Sequence, residues 1–416
     1  MKNANTGKVL QGLTLLIVLL VLSRCISTNK LTTHNYSHLY KRSENPTRFR
    51  GRVFHHSDSN SLLMFRIYLP GLKYKQGKKN KKYYARYSLF YEMYDSYEKN
   101  TLIDSATVHY TDSLFFGRNK YLTHQIRLPL REKVTGLMEV TLADRNTSHR
   151  LVRYYRLNKT PGNSQQDFLI RNVNNEIYFP YFSRYFNRYH FQYRKEQELL
   201  HADIYPLDFP IARPPFATTG GSEITLSTEN SIQLPQNTLT TQQGPGLYRI
   251  ESEAGERFCL FYVAEGSFPA PNSVDMQIKT LRYITTGSEY SRIERANEPQ
   301  RAIDNFWYRA SGDIERAGRM QERYYSRVEQ ANTLFTSHKA GWKTDRGMIY
   351  IVMGPPDVVK FFENSELWVY GDPEKIDALR FTFQKKEKPF SYNNYVLKRK
   401  EEYRLPWYRA VENWKK

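Results

Sequence analysis

The spacing of apolar residues changes once along this chain, and that change restricts the fold more than any other feature of the sequence. Up to Val263, apolar residues alternate with polar ones in short runs, which is the pattern of half-buried β-strands. Beyond Val274 they recur every three or four positions, which is the pattern of amphipathic helices. We therefore expect a mainly β protein with a C-terminal α+β domain.

The alternating part divides into two regions, each expected to fold as an antiparallel, immunoglobulin-like β-sandwich. The first contains seven runs, around residue 53 and at 61–69, 83–94, 101–110, 121–128, 136–142 and 150–157. The second contains five clear runs, at 168–171, 198–204, 222–226, 247–251 and 257–263. Proline-rich and Thr/Gln-rich stretches interrupt the second region, so we expect a smaller and less regular sandwich there.

The helical pattern begins near Met276 and continues as one apolar stripe from Ile303 to Phe335, which Gly312 is expected to divide. Strands are predicted afterwards at 348–353, 358–362, 367–370, 379–383 and 395–398. The predicted organisation is a leader at 1–25, a basic sandwich at 26–160, a second sandwich at 161–273 and an α+β domain at 274–416.

Residues 340–357 read AGWKTDRGMIYIVMGPPD and form the most specific motif of the chain. This stretch resembles the GWxTD domain family, which is named for the residues that stand here as Gly341, Trp342, Thr344 and Asp345. The resemblance extends upstream to Phe306-Trp307 and covers roughly residues 295–370, although residues 308–313 replace the family's usual Arg-Asp-Pro-Thr segment. It implies an envelope protein of Bacteroidetes or related bacteria, often a lipoprotein with β domains ahead of the motif, and it implies no established reaction.

Turn chemistry alone explains much of this motif. Gly341 is expected to end the long helix in a left-handed conformation, and Thr344 and Asp345 are expected to accept hydrogen bonds from backbone amides of the following turn. A ligand site around Asp345, Arg346 and Asp357 is the alternative. The candidate site, structural or ligand-binding, comprises Phe306, Trp307, Gly341, Trp342, Thr344, Asp345, Arg346, Gly347, Gly354, Pro355, Pro356 and Asp357.

The N-terminus has the pattern of an export signal. Lys2 and Lys8 are followed by a mostly apolar run that ends at Leu22, which is shorter than the about 20 residues a spanning helix needs. Residues 22–25 then resemble the lipobox of bacterial lipoproteins, with Arg24 in place of the usual small residue. We expect a lipid on Cys25, and the alternative is a signal that is uncleaved or cleaved elsewhere.

The net charge of +20 lies mostly in the first third of the chain. Its densest cluster is one predicted loop that contains Lys73, Lys75, Lys78, Lys79, Lys81 and Lys82. Because an exported protein meets lipid headgroups and acidic glycans rather than nucleic acid, we predict binding to an anionic surface. A solvated loop tip that discourages edge pairing is the competing interpretation.

Known catalytic signatures are absent from the sequence: it has no nucleophile elbow, no phosphate-binding glycine loop and no zinc-helix histidine pair. Cys259 lies in an apolar run and is expected to be a buried hydrophobe. We therefore predict no catalytic residue, no cofactor and no metal.

The sequence predicts a non-enzymatic lipoprotein of the cell envelope, anchored to the outer membrane and facing the periplasm, that acts as an interaction or assembly module. Its expected partners are the membrane, through the lipid anchor, and envelope proteins or anionic glycans such as lipopolysaccharide. An envelope hydrolase or a polysaccharide-binding protein with a site near the motif is the alternative.

Overall fold

Strands form the first two thirds of the fold and helices dominate the last third in the computed structural model of the protein. The structure describes residues 34–41, 48–77, 82–97, 101–113, 120–196, 199–219, 226–241 and 243–415. This arrangement confirms the predicted mainly β fold with a C-terminal α+β region. Among the described helices, none combines the length and the apolar character that crossing a bilayer requires.

The first β region contains two sheets that face each other across an apolar core. The strands are β1 (Phe49–Phe54), β2 (Ser61–Tyr68), β3 (Lys75–Gln76), β4 (Tyr83–Tyr94), β5 (Leu102–Ser113), β6 (Tyr121–Leu128), β7 (Thr135–Asp144) and β8 (Arg150–Asn158). One sheet has the order β1-β2-β6, and the other has the order β3-β4-β7-β8 with β5 also paired to β4. Every second residue of β4 is buried, including Leu89 and Tyr91, and these side chains meet Leu63 and Phe65 of β2. All seven predicted strands are present.

The second β region is less regular, as expected. Its strands are β9 (Gly162–Asn163), β10 (Phe168–Asn172), β11 (Phe182–Arg184), β12 (Arg188–Tyr193), β13 (Leu199–Tyr205), β14 (Asn230–Pro235), β15 (Leu239–Thr241), β16 (Gly246–Glu251) and β17 (Arg257–Ala264). The sheets have the orders β10-β12-β15 and β11-β17-β16-β13-β14. Strands β9 and β11 pair with β17 in parallel, so this region is not purely antiparallel. The strand predicted at 222–226 lies almost wholly outside the described residues.

The C-terminal region combines helices with one antiparallel sheet. The helices are α1 (Val274–Leu281), α2 (Gly287–Glu294), α3 (Pro299–Ser311), α4 (Ile314–Phe335), α5 (Asp345–Met353) and α6 (Arg404–Glu412). The sheet has the order of the chain: β18 (Val358–Phe361), β19 (Ser365–Tyr370), β20 (Leu379–Lys385) and β21 (Tyr395–Leu397). Gly312 separates α3 from α4 in a left-handed conformation, with φ at 73°, which confirms the predicted division.

The strand predicted at 348–353 is wrong, because these residues belong to helix α5. Every residue of α5 from Asp345 to Val352 is buried. A helix that is covered on all sides shows no solvent-facing position from which its period can be read, and its short apolar run therefore looks like a buried strand.

The first described segment, residues 34–41, packs against the C-terminal region. The Tyr36 ring is fully buried and stacks on Phe361 with 4.5 Å between ring centroids. The Tyr36 amide donates to the Val359 carbonyl at 2.9 Å, and the Asn35 side chain accepts from the Val359 amide at 3.0 Å. Residues near the start of the chain thus complete the edge of the last sheet.

A cluster of charges, buried at Asp167, Arg194 and Arg257 and open to solvent at Asp58, joins the two sandwiches. Asp167 is fully buried between them and accepts from Arg257 at 2.6 Å. Glu132 of the first sandwich accepts from Arg257 at 2.7 Å and also pairs with Arg194, which in turn pairs with Asp58. Glu132 thus connects the first sandwich to Arg194 and Arg257 of the second region, which are both buried.

Candidate functional site

Two of the three glycines of the motif, Gly341 and Gly347, lie where peptide backbones touch. A Cβ on Gly341 would lie 1.9 Å from the Ala331 carbonyl oxygen, and a Cβ on Gly347 would lie 1.9 Å from the Gly341 carbonyl oxygen. The predicted left-handed helix end at Gly341 is wrong, because α4 ends earlier, at Phe335, and Gly341 instead begins a 3-10 turn. Glycine is required here by close approach of the backbone.

Trp342 is part of the core. Its side chain is 2% exposed, its amide donates to the Asn332 side chain at 3.0 Å, and its carbonyl accepts from the Tyr283 hydroxyl at 2.8 Å. Asn332 also donates to the Pro269 carbonyl at 2.8 Å. One amide side chain therefore links α4, the motif and the loop that follows the second sandwich.

Thr344 caps helix α5. Its hydroxyl accepts from the Gly347 amide at 3.0 Å, which confirms the predicted turn bond, and it donates to the Gly341 carbonyl at 2.7 Å. An N-cap hydroxyl satisfies one of the free amides at the start of a helix.

We expect Thr344→Ala to lower the free energy of unfolding by about 1 kcal/mol, because the Gly347 amide loses its acceptor in a buried position. Thr344→Ser should keep most of the stability, since it retains the hydroxyl. Urea denaturation monitored by circular dichroism measures both variants. Equal losses for the two would contradict the capping role.

Asp345 is predicted to bond to an amide of its own turn, and that prediction is wrong. Its carboxylate accepts instead from the Leu397 amide at 2.7 Å and from Arg399 at 2.6 and 3.1 Å. Arg399 also donates to the Arg213 carbonyl at 3.1 Å, in the proline-rich stretch of the second region. Asp345 therefore fastens α5 to β21 and, through Arg399, to the second region.

Arg346 forms a buried ion pair with Glu366 at 3.0 Å. The same carboxylate pairs with Arg156 of the first sandwich at 2.5 Å and accepts from the Tyr40 hydroxyl at 3.1 Å. Burial alone would raise the pKa of Glu366, but Arg346 and Arg156 outweigh it and hold that pKa below its ordinary value. One motif residue is thus connected to the first sandwich and to the segment 34–41.

The Gly-Pro-Pro-Asp turn closes the other end of α5. Gly354 has φ at 93°, and a Cβ there would lie 2.7 Å from the Arg327 guanidinium. Arg327 donates to the Ile351 and Val352 carbonyls at 3.0 and 3.2 Å, at the negative end of the helix dipole. Burial lowers the pKa of Arg327 to about 10.

The other residues of this turn also contact the protein. Asp357 accepts from the Gly371 amide at 2.8 Å. Pro355 is half-buried and Pro356 is buried.

Trp307 and Phe306 differ in environment. Trp307 is fully buried and packs against Tyr324 and Trp414, with centroid distances of 5.5 and 6.3 Å. Phe306 is half-buried and lines a cavity of about 370 Å³ together with Arg309. The first is a core residue, and the second faces an accessible hollow beside α3.

His338 lies in the loop that leads into the motif. It is 2% exposed, and its Nε2 has no hydrogen-bond partner among the described residues. Burial lowers the pKa of His338 to about 3, so the folded protein keeps this ring neutral.

Below the ordinary histidine pKa of 6.5, His338 is protonated in the unfolded chain but stays neutral in the folded chain. The free energy of unfolding therefore falls as the pH falls. We expect this group to remove about 2 kcal/mol of unfolding free energy between pH 7.5 and pH 5. Between pH 7.5 and pH 5, the unfolding free energy of His338→Leu should therefore fall by about 2 kcal/mol less than that of the wild type. Urea titrations at both pH values test the difference, and parallel losses would refute it.

The predicted lysine cluster is only partly described. Lys78, Lys79 and Lys81 lie outside the described residues, as does Cys25. The Lys73 amide donates to the Asp144 carboxylate at 2.8 Å, Lys75 is exposed in the short strand β3 and pairs with Tyr84 of β4, and the Lys82 carbonyl accepts from the Gly77 amide at 2.7 Å. The structure thus describes only the two ends of the predicted lysine loop.

Two other places contain side chains that could bind a metal ion or react: the cluster of His201, Asp203 and Glu251, and the thiol of Cys259. His201, Asp203 and Glu251 lie close enough to hold a metal ion, but the Arg249 guanidinium pairs with both carboxylates and offsets one of their two negative charges. Cys259 is fully buried, and burial raises the pKa of its thiol to about 12, as expected of a hydrophobe.

The residues that hold the motif were missed in the sequence because most lie far from it along the chain. Glu366 gave one local signal: it is an acidic residue on the same face of β19 as the buried Trp368. A charged residue at a core-facing strand position indicates a buried partner. Arg327 gave a similar signal on the buried stripe of α4, between Tyr324 and Ala331, whereas Arg156 and Arg399 gave none.

Comparisons with known proteins identify one part of the chain. A family model described as the GWxTD domain matches residues 246–416, beginning in β16. A search of curated proteins finds no match.

Similarity to solved structures is weak. A calcium-binding mutant of Bacteroides uniformis beta-glucuronidase 2 shares 12% identity over 33% of this chain and 16% of that chain, with a TM-score of 0.18. Red sea bream transglutaminase shares 9% identity over 56% and 33%, also with a TM-score of 0.18. The C-terminal fragment of intimin bound to the intimin-binding domain of its translocated receptor shares 7% identity over 86% and 96%, with a TM-score of 0.15. The chain thus spans a third or less of the first two, and TM-scores this low support no conclusion about fold or function.

Proposed function

The chain is a GWxTD domain protein, and from this premise we propose that it is a non-enzymatic cell-envelope protein that holds other envelope components in a fixed geometry. The observation that carries the proposal is the pairing of Glu366 with both Arg346 of the motif and Arg156 of the first sandwich. Through Glu366, the motif connects the last region to the first sandwich.

The state of the motif's polar side chains supports a structural role. Thr344 caps a helix, Asp345 binds Arg399 and a backbone amide, and Arg346 binds Glu366. A general acid, base or nucleophile must face a substrate, whereas these three groups face protein partners. A fold whose motif side chains are turned inward fits an assembly component better than a catalyst.

The partner surface that we propose is the helical face of the last region. Tyr308 of α3 and Tyr408 of α6 are each 49% exposed, and Leu405 of α6 is 59% exposed. Aromatic and large apolar side chains on a surface are frequent contact residues in protein interfaces. The basic first sandwich would add contacts with acidic glycans or lipopolysaccharide.

A photocrosslinking experiment tests this function in intact cells. Benzoylphenylalanine is placed at Tyr308 or Tyr408, and at the fully exposed Ile376 as a control outside the proposed surface. We expect the first two positions to capture the same envelope protein and Ile376 not to capture it. Capture of no common product, or the same product from all three positions, would contradict the proposal.

The proposal includes an outer-membrane lipoprotein facing the periplasm, with the lipid on Cys25. We expect cells fed an alkyne fatty acid to label the wild type and Cys259→Ser, the other cysteine of the chain, but not Cys25→Ser. Loss of the lipid should also move the protein from the membrane fraction to the soluble fraction. Labelling of Cys25→Ser would rule out this anchor.

One observation favours the alternative, an envelope hydrolase or a polysaccharide-binding protein. A cavity of about 660 Å³ lies between the second region and the motif, and its lining includes Lys343, Glu229, Glu265 and Asp275. Paired carboxyl groups are the usual machinery of glycoside hydrolysis. Release of reducing sugar from envelope polysaccharide by the wild type, lost in Glu265→Gln, would favour this alternative.

A further inference from the structure

A third cavity lies where all three folded regions meet. Its volume is about 320 Å³, the lower end of the range for small-molecule sites, which occur preferentially at such junctions. The lining residues that matter here are Tyr97 and Arg156 of the first sandwich, Tyr181 of the second, and Lys385, Tyr392 and Tyr395 of the last region.

The cavity is positively charged. Arg156 and Lys385 line it, and none of its described lining residues is acidic. The nearest buried carboxylate, Glu366, is shared between Arg156 and Arg346, so this group of charges keeps an excess of cations. The Lys385 ammonium has no ion-pair partner among the described residues. An anion in the cavity would be attracted by both cations.

Two of the tyrosines that line the cavity have hydroxyl groups available for a ligand. Within the described part of the chain, the Tyr97 and Tyr392 hydroxyls make no hydrogen bond, whereas the Tyr181 hydroxyl is bonded to the Gln165 carbonyl at 3.0 Å. Burial raises the pKa of both Tyr97 and Tyr392, so both remain protonated and can donate to an anion or exchange hydrogen bonds with an alcohol.

The side-chain amides of Gln165 and Asn393, which line the cavity, already form hydrogen bonds within the protein and hold its walls in place. Gln165 exchanges two hydrogen bonds with the Leu260 backbone, at 2.9 and 2.7 Å. Asn393 accepts from Arg346 and donates to the Leu334 and Thr336 carbonyls. Arg346 also lies over the Tyr395 ring, 4.3 Å from its centroid, so the motif supports one wall of the cavity.

We propose that this junction cavity binds a small hydroxylated anion, a sugar acid or a sugar phosphate of about one sugar ring. The Arg156 guanidinium and the Lys385 ammonium bind the carboxylate or phosphate, and the Tyr97 and Tyr392 hydroxyls bind the sugar hydroxyls. The inference goes beyond the assembly role, which requires no small ligand. Because the ligand contacts the first sandwich and the last region together, its binding stabilises their junction.

The test is calorimetric titration of the full-length protein in detergent with three probes. Glucuronate carries a carboxylate, glucose phosphate carries a phosphate, and glucose carries neither. We expect one or both anions to bind and to raise the melting temperature, and glucose to do neither. The stronger of the two anions identifies the charged group.

Two variants and a matched control assign the binding to this cavity. Lys385→Gln and Tyr392→Phe should each weaken anion binding, Lys385→Gln by roughly tenfold or more, because each removes a donor without removing bulk. Lys386→Gln removes the same charge from the next residue, which is exposed and outside the lining, and should bind as the wild type does. Unchanged melting of the ligand-free variants separates lost binding from lost folding. Absence of anion binding, or binding that neither cavity variant weakens, would overturn the proposal.

Discussion

Replacement of Glu366 by Gln is expected to lower the free energy of unfolding by about 3 kcal/mol or more. The carboxylate is 1% exposed and is shared by Arg346 and Arg156, which would both lose their buried counter-charge. Breaking a buried ion pair by removing one partner is costly, because the remaining charge stays out of water. Glu363→Gln makes the same substitution three positions earlier at an exposed site, and it should change stability by less than about 0.5 kcal/mol.

The pH dependence of the same variant separates charge from shape. The pKa of Glu366 in the folded protein lies below its ordinary value of 4.5, so its stabilisation is present above that value and is lost as the pH falls through the folded pKa. Glu366→Gln should therefore differ most from the wild type at neutral pH and converge with it in acid. Urea denaturation at pH values from 7 to 3 measures the difference in unfolding free energy between the two proteins. If that difference stays constant, the loss is due to packing instead.

The sequence predicted several elements that have one face in water, although it missed β12, β14 and α6, which also have such a face. The strands of the first sandwich and the stripe of α4 each expose polar residues at regular intervals, so their period can be read. Helix α5 has no such face, and its type was assigned wrongly. The short strands β3, β9, β11 and β15 contain two or three residues each, too few for an alternation to appear.

The candidate site was predictable only in its local part. The Thr344 cap follows from the spacing of Thr344 and Gly347, which are neighbours in one turn. The pairing of Arg156 with Glu366 joins residues 210 positions apart, and Asn35 binds Val359 across 324 positions. Nothing in the spacing of a single sequence encodes such pairs, since they depend on how finished domains pack together. The sequence therefore predicted the turn that begins α5 but not the distant residues that the motif binds.

Gly341→Ala is expected to cost about 3 kcal/mol or more, because its Cβ would lie 1.9 Å from the Ala331 carbonyl oxygen and helix α4 would have to move. Gly347→Ala should cost a similar amount for the same reason. Gly318→Ala is the matched control: Gly318 is an exposed residue inside α4, a Cβ added to it would meet nothing within 4 Å, and alanine should stabilise the helix by up to about 1 kcal/mol. Urea denaturation compares the three.

A displaced α4 would also pull Asn332 away from the Trp342 amide, which it holds at 3.0 Å. The losses from Gly341→Ala and Asn332→Ala should therefore overlap, and the double variant should be less destabilised than the sum of the two single variants. If the losses add fully, Gly341 and Asn332 act independently, and the motif is not one packed unit. A shortfall of about 1 kcal/mol or more would instead mean that the close approach of two backbones is what allows the asparagine to hold the tryptophan in the core.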